Sequence, residues 1–332
     1  MRRWAAILGV VCVVVCAACS GAGDRLTVYS GRGESLVAPV LERFSADTGI
    51  GIDVRYGDSA DLALLIDEEG DNTPADVFYS QSPGATGYLA DRDRLGQLPD
   101  EILQQVDEPF RGTEGRWVGI TGRQRVLVYN SDVLSEDELP TSVLDINDEP
   151  YAGRVAVAPS NGSFQDFVTA LRQTEGEDTA REWLEGLADA GAPTYANNNA
   201  IVEAVGRGEV DMGLVNHYYN YRFLEEDPSL PSRNHVFGNN DIGALLIDST
   251  AAVTASAEDN PDARRLIEYL LTEESQRYFA DETKEYPLAA GVPPAEDVPP
   301  LDRASIPAVE LDELGGGLER TLELIRDSGL SG

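Results

Sequence analysis

From Leu26 onward the chain alternates short apolar runs with amphipathic stretches, and this alternation restricts the fold more than any other feature. Strands separated by helices read as α/β units with mainly parallel strands. Residues 26–29 are the first expected strand and residues 34–47 a helix, with Pro39 near its start and Gly49 as a left-handed stop. Ile50, Ile52, Val54 and Tyr56 alternate as a second strand, residues 62–69 form a helix stopped by Gly70, and residues 75–80 form a third strand. Residues 117–129 make a long apolar run with an arginine pair inside it, the pattern of a strand that crosses between lobes. Residues 154–158 and 210–216 read as strands, and residues 163–173, 183–188 and 200–205 as helices. Further on, residues 243–247 and 251–255 have strand length, residues 263–272 and 274–281 read as paired helices, and residues 318–325 as an amphipathic closing helix. There is no internal repeat, and residues 292–300 are proline-rich and irregular. Two sheets joined by crossing strands predict a cleft that closes on a small ligand about a hinge near residues 125–128 and 244–247.

The first residues have a different character. Arg2 and Arg3 precede an apolar run over residues 5–18, which reads as an export signal and is too short to span a bilayer comfortably. The run ends in Cys16-Ala17-Ala18-Cys19-Ser20, which resembles a bacterial lipobox with Cys16 in place of the usual leucine. Residues 1–18 are therefore expected to be removed, Cys19 to be lipidated and residues 19–25 to serve as a tether; simple cleavage to a secreted form is the alternative. Cys12, Cys16 and Cys19 all lie here, so the remaining chain has no cysteine pair to cross-link. The fold must rest on its own cores, and 332 residues suffice for two.

The formal charge is -34, which excludes nucleic acid as a natural partner. Lys284 is the single lysine, so arginine supplies nearly all positive charge. Such acidity suits either solubility in salt or the steering of cations toward a cleft.

Several short segments carry candidate chemistry. Asn216-His217-Tyr218-Tyr219-Asn220-Tyr221 follows an expected strand. Adjacent side chains of a strand point to opposite faces, so Tyr218 and Tyr219 can address one atom only where the backbone turns, as at a strand-to-helix junction. Phenolate is a hard anionic oxygen whose proton a trivalent ion readily displaces; the plainer reading is a cluster of interface aromatics. Three consecutive side chains cannot easily aim at one point, so His217 is expected to support the tyrosines or sit at the surface. Asn161-Gly162-Ser163 lies between a strand and a helix, where free N–H groups cap the helix or hold a small anion. Arg123 and Arg125 share one strand face, suited to an oxyanion or to neighbouring carboxylates. Asn197-Asn198-Asn199 offers amide donors at a helix start. Gly31-Arg32-Gly33 fails as a dinucleotide loop because Leu36 occupies the third glycine position. With only His217 and His235, and no thiol beyond the first segment, most nucleophilic catalysis lacks its parts.

Taken in order, Val28-Tyr29-Ser30-Gly31-Arg32, Ala75-Asp76-Val77-Phe78-Tyr79-Ser80, Gly122-Arg123-Gln124-Arg125-Val126, Pro159-Ser160-Asn161-Gly162-Ser163-Phe164, Asn216-His217-Tyr218-Tyr219 and Glu285-Tyr286-Pro287-Leu288 resemble the blocks of bacterial periplasmic ferric-iron-binding proteins. The resemblance implies an α/β, type II periplasmic-binding-protein fold, with lobe 1 formed by residues 26–125 and 246–288 and lobe 2 by residues 126–245 and 289–332. It implies a monomer serving an ABC permease and its ATPase at the outer face of the cell membrane, with Fe(III) as cargo and carbonate or phosphate as synergistic anion. Tyr218 and Tyr219 match the family's iron-binding pair; Asn161, Gly162 and Ser163 match its anion loop, and Asn198 and Asn216 further anion contacts. Two positions depart from the pattern: the family's histidine after the first strand is Gly33, and its glutamate after the Phe-Tyr-Ser block is Gln81. Glu34, next to the vacated position, and Gln81 are therefore candidates for extra ligands, and a transported iron chelate or oxyanion is the alternative cargo.

Overall fold

The structure, a computed structural model, describes residues 25–302, 306, 307, 309, 314 and 317–330. The expected signal, the lipidation site Cys19 and nearly all of the tether lie outside the described residues.

Nine strands form one continuous curled sheet: β1 Leu26–Ser30, β2 Ile52–Tyr56, β3 Val77–Ser80, β4 Val118–Asn130, β5 Val155–Ala156, β6 Met212–Asn216, β7 Ser232–His235, β8 Leu246–Val253 and β9 Tyr286–Pro287. Among the described residues eleven α-helices flank them: α1 Glu34–Thr48, α2 Ser59–Glu69, α3 Pro83–Ala90, α4 Asp100–Leu103, α5 Gly162–Glu175, α6 Glu177–Asp189, α7 Asn198–Gly206, α8 His217–Glu226, α9 Pro261–Leu270, α10 Glu273–Thr283 and α11 Leu318–Asp327.

The thirteen residues of β4 are all buried and give the molecule its two-lobed form. Its first half pairs with β8, from Val118 opposite Ala251 to Gln124 opposite Leu246. Its second half pairs with β6, from Arg125 opposite Asn216 to Tyr129 opposite Met212, and with β7. The strand thus changes partners between Gln124 and Arg125, which puts β1, β2, β3, β8 and β9 in one lobe and β5, β6 and β7 in the other.

The expectation of mainly parallel strands needs correction. β1 is parallel to β2 and β3, and β5 to β6, but β4 and β8 run antiparallel to every neighbour. A strand that leaves one sheet to enter the other cannot use the βα crossovers that make neighbours parallel. The two runs at 243–247 and 251–255 prove to share one strand. Residues 242–244 form a 3-10 turn, and β8 continues unbroken through Asp248, Ser249 and Thr250, which are polar yet fully buried. The triplet interrupts the apolar pattern because its hydroxyls have buried polar partners, Ser249 Oγ with Thr121 Oγ1 at 2.7 Å and Thr250 Oγ1 with Thr86 Oγ1 at 2.6 Å.

Local chemistry accounts for the rest. α1 buries Leu36, Val37, Val40, Leu41 and Phe44 on one stripe and ends at Gly49 with φ 75°. In lobe 2, Phe164 and Phe167 of α5 pack on Trp183 of α6, with Phe167 and Trp183 centroids 5.4 Å apart, and the indole donates to Val143 O at 2.9 Å. These apolar cores fix the strand-to-helix junctions from which the site is built.

Candidate functional site

Four junctions, β1 to α1, β3 to α3, β5 to α5 and β6 to α8, converge with the start of α7 where β4 changes lobes. Each brings the carboxyl end of a strand and the free N–H groups of a helix start, the usual place for a ligand in an α/β fold.

At the β6 to α8 junction Asn216 has extended backbone and His217 begins the helix. Tyr218 and Tyr219 fall in its first turn, where the chain turns enough to bring their rings together, centroids 4.0 Å apart and planes 29° from parallel. Tyr218 is completely buried, yet its hydroxyl has no hydrogen-bond partner among the described residues. Burial, with Tyr219 and Glu285 nearby, pushes its phenol well above the ordinary value, against the opposing pull of Arg32 and Arg123. A buried phenol with an unused oxygen is costly unless something else binds it.

His217 does not join the tyrosines as a ligand candidate. Its Nδ1 accepts from Gln124 N at 3.1 Å and its Nε2 donates to Lys284 O at 2.9 Å, while its ring stacks on Tyr286 at 4.5 Å. Both nitrogens are occupied, and burial pulls the imidazole down to about 3, so it is neutral and anchors α8 to the crossing strand.

Asn161 caps α5, its Oδ1 accepting from Ser163 N at 3.1 Å and Ser163 Oγ at 2.8 Å. Asn216 Nδ2 donates to Ser163 Oγ at 2.9 Å, and Arg125 Nη1 to Asn216 Oδ1 at 3.1 Å. Asn198 Nδ2 reaches Asn161 Oδ1 at 3.5 Å, leaving its own buried Oδ1 without a partner. From lobe 1, Gln81 Nε2 lies 3.4 Å from Asn161 Oδ1 and 3.3 Å from Ser163 Oγ. The helix cap and the candidate anion loop are therefore the same residues, bridged across the cleft by Gln81.

Arg123 and Arg125 are both buried, as their shared strand face predicts. Arg123 Nη2 donates to Asp248 O at 2.7 Å and also to Gln81 O, while its Nε and Nη1 are unpartnered. Burial pulls Arg125 down to about 9, and its Nη2 also lacks a partner. Guanidinium stays charged in proteins, so such shifts measure how incompletely the protein compensates that charge.

Sequence reasoning did not single out the group nearest these arginines. Arg32 Nη2 donates to Glu285 Oε1 at 2.6 Å, with both side chains fully buried. Glu285 Oε2 also accepts from Thr121 Oγ1 at 3.2 Å and Thr283 Oγ1 at 3.1 Å. Burial lowers the Arg32 guanidinium, but Glu285 and the tyrosines outweigh it and raise the group above its usual value. Its Nε and Nη1 remain unpartnered, and Tyr79, also buried, lies beside it. Arg32, Tyr79 and Glu285 all stand in the sequence blocks quoted above, but a pair separated by 253 positions has no local signal. Asp166, buried on α5 near Arg123 and Arg125, also escaped notice.

Glu34 is placed apart from this group. It is exposed and lines a surface cleft with Arg25, Glu42 and Tyr56. Among the described residues no group of three or more His, Cys, Asp or Glu is placed to share a metal ion.

Two α/β lobes on shared crossing strands, with a buried polar centre between them, define a protein that encloses a small solute. Residues 72–314 match the family described as bacterial extracellular solute-binding protein. The chain is 33% identical to the major ferric iron-binding protein of Neisseria meningitidis, covering 86% of this chain and 87% of that one. It is 30% identical to the Fe(3+)-binding periplasmic protein of Serratia marcescens, covering 94% and 92% respectively. The structure of iron-bound HitA from Pseudomonas aeruginosa superposes with a TM-score of 0.87 at 36% identity, over 92% of this chain and 99% of that one. The chain belongs to the bacterial extracellular solute-binding protein family, among its periplasmic ferric-iron-binding members.

Proposed function

We propose that this chain captures ferric iron outside the cytoplasm by closing its two lobes around it, with Tyr218 and Tyr219 as phenolate ligands, and hands it to an ABC permease driven by its ATPase. The observation that carries this reading is the stacked tyrosine pair at the head of α8, with the Tyr218 hydroxyl buried and unpartnered beside cationic groups. Support comes from relatives whose names state ferric iron binding.

Two phenolates leave one positive charge on Fe(III), which carbonate or phosphate would neutralise. Asn161, Gly162, Ser163, Asn198 and Asn216 would hold that anion at the start of α5, with Arg123 and Arg125 supplying further donors. Gln81 stands close enough to the loop to contribute from lobe 1. Capture and handover require no catalysis. The protein would act as a monomer, held at the outer face of the cell membrane through Cys19.

Adding Fe(III) to metal-free protein, with and without carbonate or phosphate, tests the reading. A visible phenolate-to-iron charge-transfer band is the expected result; a colourless wild type under every condition refutes it. A second reading, that the cargo is an intact iron chelate, is favoured by five buried guanidinium nitrogens of Arg32, Arg123 and Arg125 that have no hydrogen-bond partner among the described residues. In that case the protein takes up the preformed complex and leaves the bare ion in solution.

A further inference from the structure

Beyond the tyrosines and the anion loop, the two lobes meet through one fully buried carboxyl. Asp166 lies on α5 in lobe 2, and its Oδ1 accepts from Ser82 Oγ at 2.5 Å and from Gly84 N at 3.3 Å, both in lobe 1. Ser82 is the N-cap of α3, its own Oγ accepting from Ala85 N at 3.2 Å, and Gly84 lies in the first turn. Asp166 therefore docks on the start of a helix, where free N–H groups and the helix dipole favour an acceptor. The approach is close: a Cβ on Gly84 would stand 2.7 Å from Asp166 Oδ1. Residue 84 has no room for a side chain while the lobes sit this way.

Away from the crossing strand, where His217 Nε2 donates to Lys284 O at 2.9 Å, the other contacts along this seam are weaker. Gln81 reaches Asn161 and Ser163 only at 3.4 and 3.3 Å. Arg92, just beyond α3, pairs with Glu319 of α11 at 2.9 Å, but Glu319 is mostly exposed, and such pairs contribute little. The Ser82 and Asp166 contact is 2.5 Å long, fully buried and made by residues on different lobes. Rotation about the crossing strands separates the partners and breaks it.

We propose that Asp166 is a positioning residue that latches lobe 2 onto the first turn of α3, holding the tyrosine pair and the anion loop at their working distance from lobe 1 without touching the cargo. Burial pushes its carboxyl up to about 7, against the hydrogen bond from Ser82 and the nearby arginines. An uncharged acceptor of the same shape therefore serves the latch as well as a carboxylate does.

The proposal rests on the cleft being the solute site, but its test is independent of iron. The radius of gyration of metal-free protein is measured by small-angle X-ray scattering for wild type, Asp166→Ala, Ser82→Ala and Asp166→Asn. Asp166→Ala and Ser82→Ala are expected to expand the molecule, and Asp166→Asn to keep the wild-type value. In iron-loaded protein the two alanine variants release iron about tenfold faster, on the scale of a lost hydrogen bond to a charged or buried group, with the charge-transfer maximum unmoved. Combining them adds no further acceleration, because they break the same contact. Equal radii in all four proteins, or expansion of Asp166→Asn equal to that of Asp166→Ala, overturns the latch. A wild type that never colours refutes the iron reading instead and leaves the scattering result to decide the latch. Should Asp166→Ala fail to fold, Ser82→Ala, which leaves α5 intact, decides alone.

Discussion

The two lobes contribute to the centre in opposite ways. Lobe 2 presents the starts of α5, α7 and α8, with the stacked tyrosines and a connected set of amides and hydroxyls. Lobe 1 presents the buried Arg32 and Glu285 pair, Arg123 and Gln81, with neither an acidic nor an imidazole ligand at Gly33 or Gln81, where the resembling family carries them. The difference teaches that one lobe can supply the binding atoms while the other supplies charge compensation and closure. The arginine donors left without protein partners belong mostly to the wall that lacks ligands. An anion arriving with the metal would meet both needs.

Perturbing lobe 2 at the tyrosines has the largest expected effect. Tyr218→Phe should weaken iron binding well beyond the roughly 10- to 100-fold that loss of a partner outside the coordination sphere costs, read by competition with a chelator of known affinity. On lobe 1, Glu285→Ala leaves Arg32 buried without its carboxylate. We expect a loss of about 3–5 kcal/mol in urea unfolding, a cost to stability where the tyrosine change is a cost to binding.

Asp166 joins the two walls and gives a pH-dependent prediction. Its carboxyl rises from 3.8 to about 7 on folding, so the stability of the protonated form is fully present below about pH 4 and is lost as pH rises through about 7. Relative to Asp166→Asn, wild type should lose about 4 kcal/mol across that window, measured by urea unfolding at a series of pH values. A flat difference would mean that the carboxyl is ionised throughout. Asn161→Ala should cost about 1 kcal/mol through its helix cap and also weaken binding of the anion, which isothermal titration with phosphate reads. Smallest of all, Glu34→Ala should change stability by no more than about 0.5 kcal/mol and leave iron affinity unaltered. A clear loss of affinity there would restore a ligand to lobe 1.

Lobe 2 was also the more legible lobe in the sequence. Tyr218 and Tyr219 are adjacent, and the turn that lets them cooperate follows from a strand running into a helix, a local pattern. The same holds for Asn161 and Ser163 at the head of α5. Arg32 and Glu285 meet only because α10 returns the chain to the first strand after 253 positions, and spacing cannot reveal that. The helix α3 has no clear signal in the sequence, since Pro83, Gly84 and Gly87 are poor helix formers, although Ser82 caps it and Gly84 is required by the approach of Asp166. Asp248, Ser249 and Thr250 disguised β8 in the same way, as polar residues that a buried strand carries because of what they face.

The central claim is that the tyrosine pair of lobe 2 holds the metal. Diffraction from iron-loaded crystals at the iron absorption edge tests it most directly. The account predicts one anomalous peak bonded to the phenol oxygens of both Tyr218 and Tyr219, with an anion between it and the start of α5. A peak bonded to carboxylates elsewhere, or tyrosine hydroxyls that do not touch the iron, would contradict it.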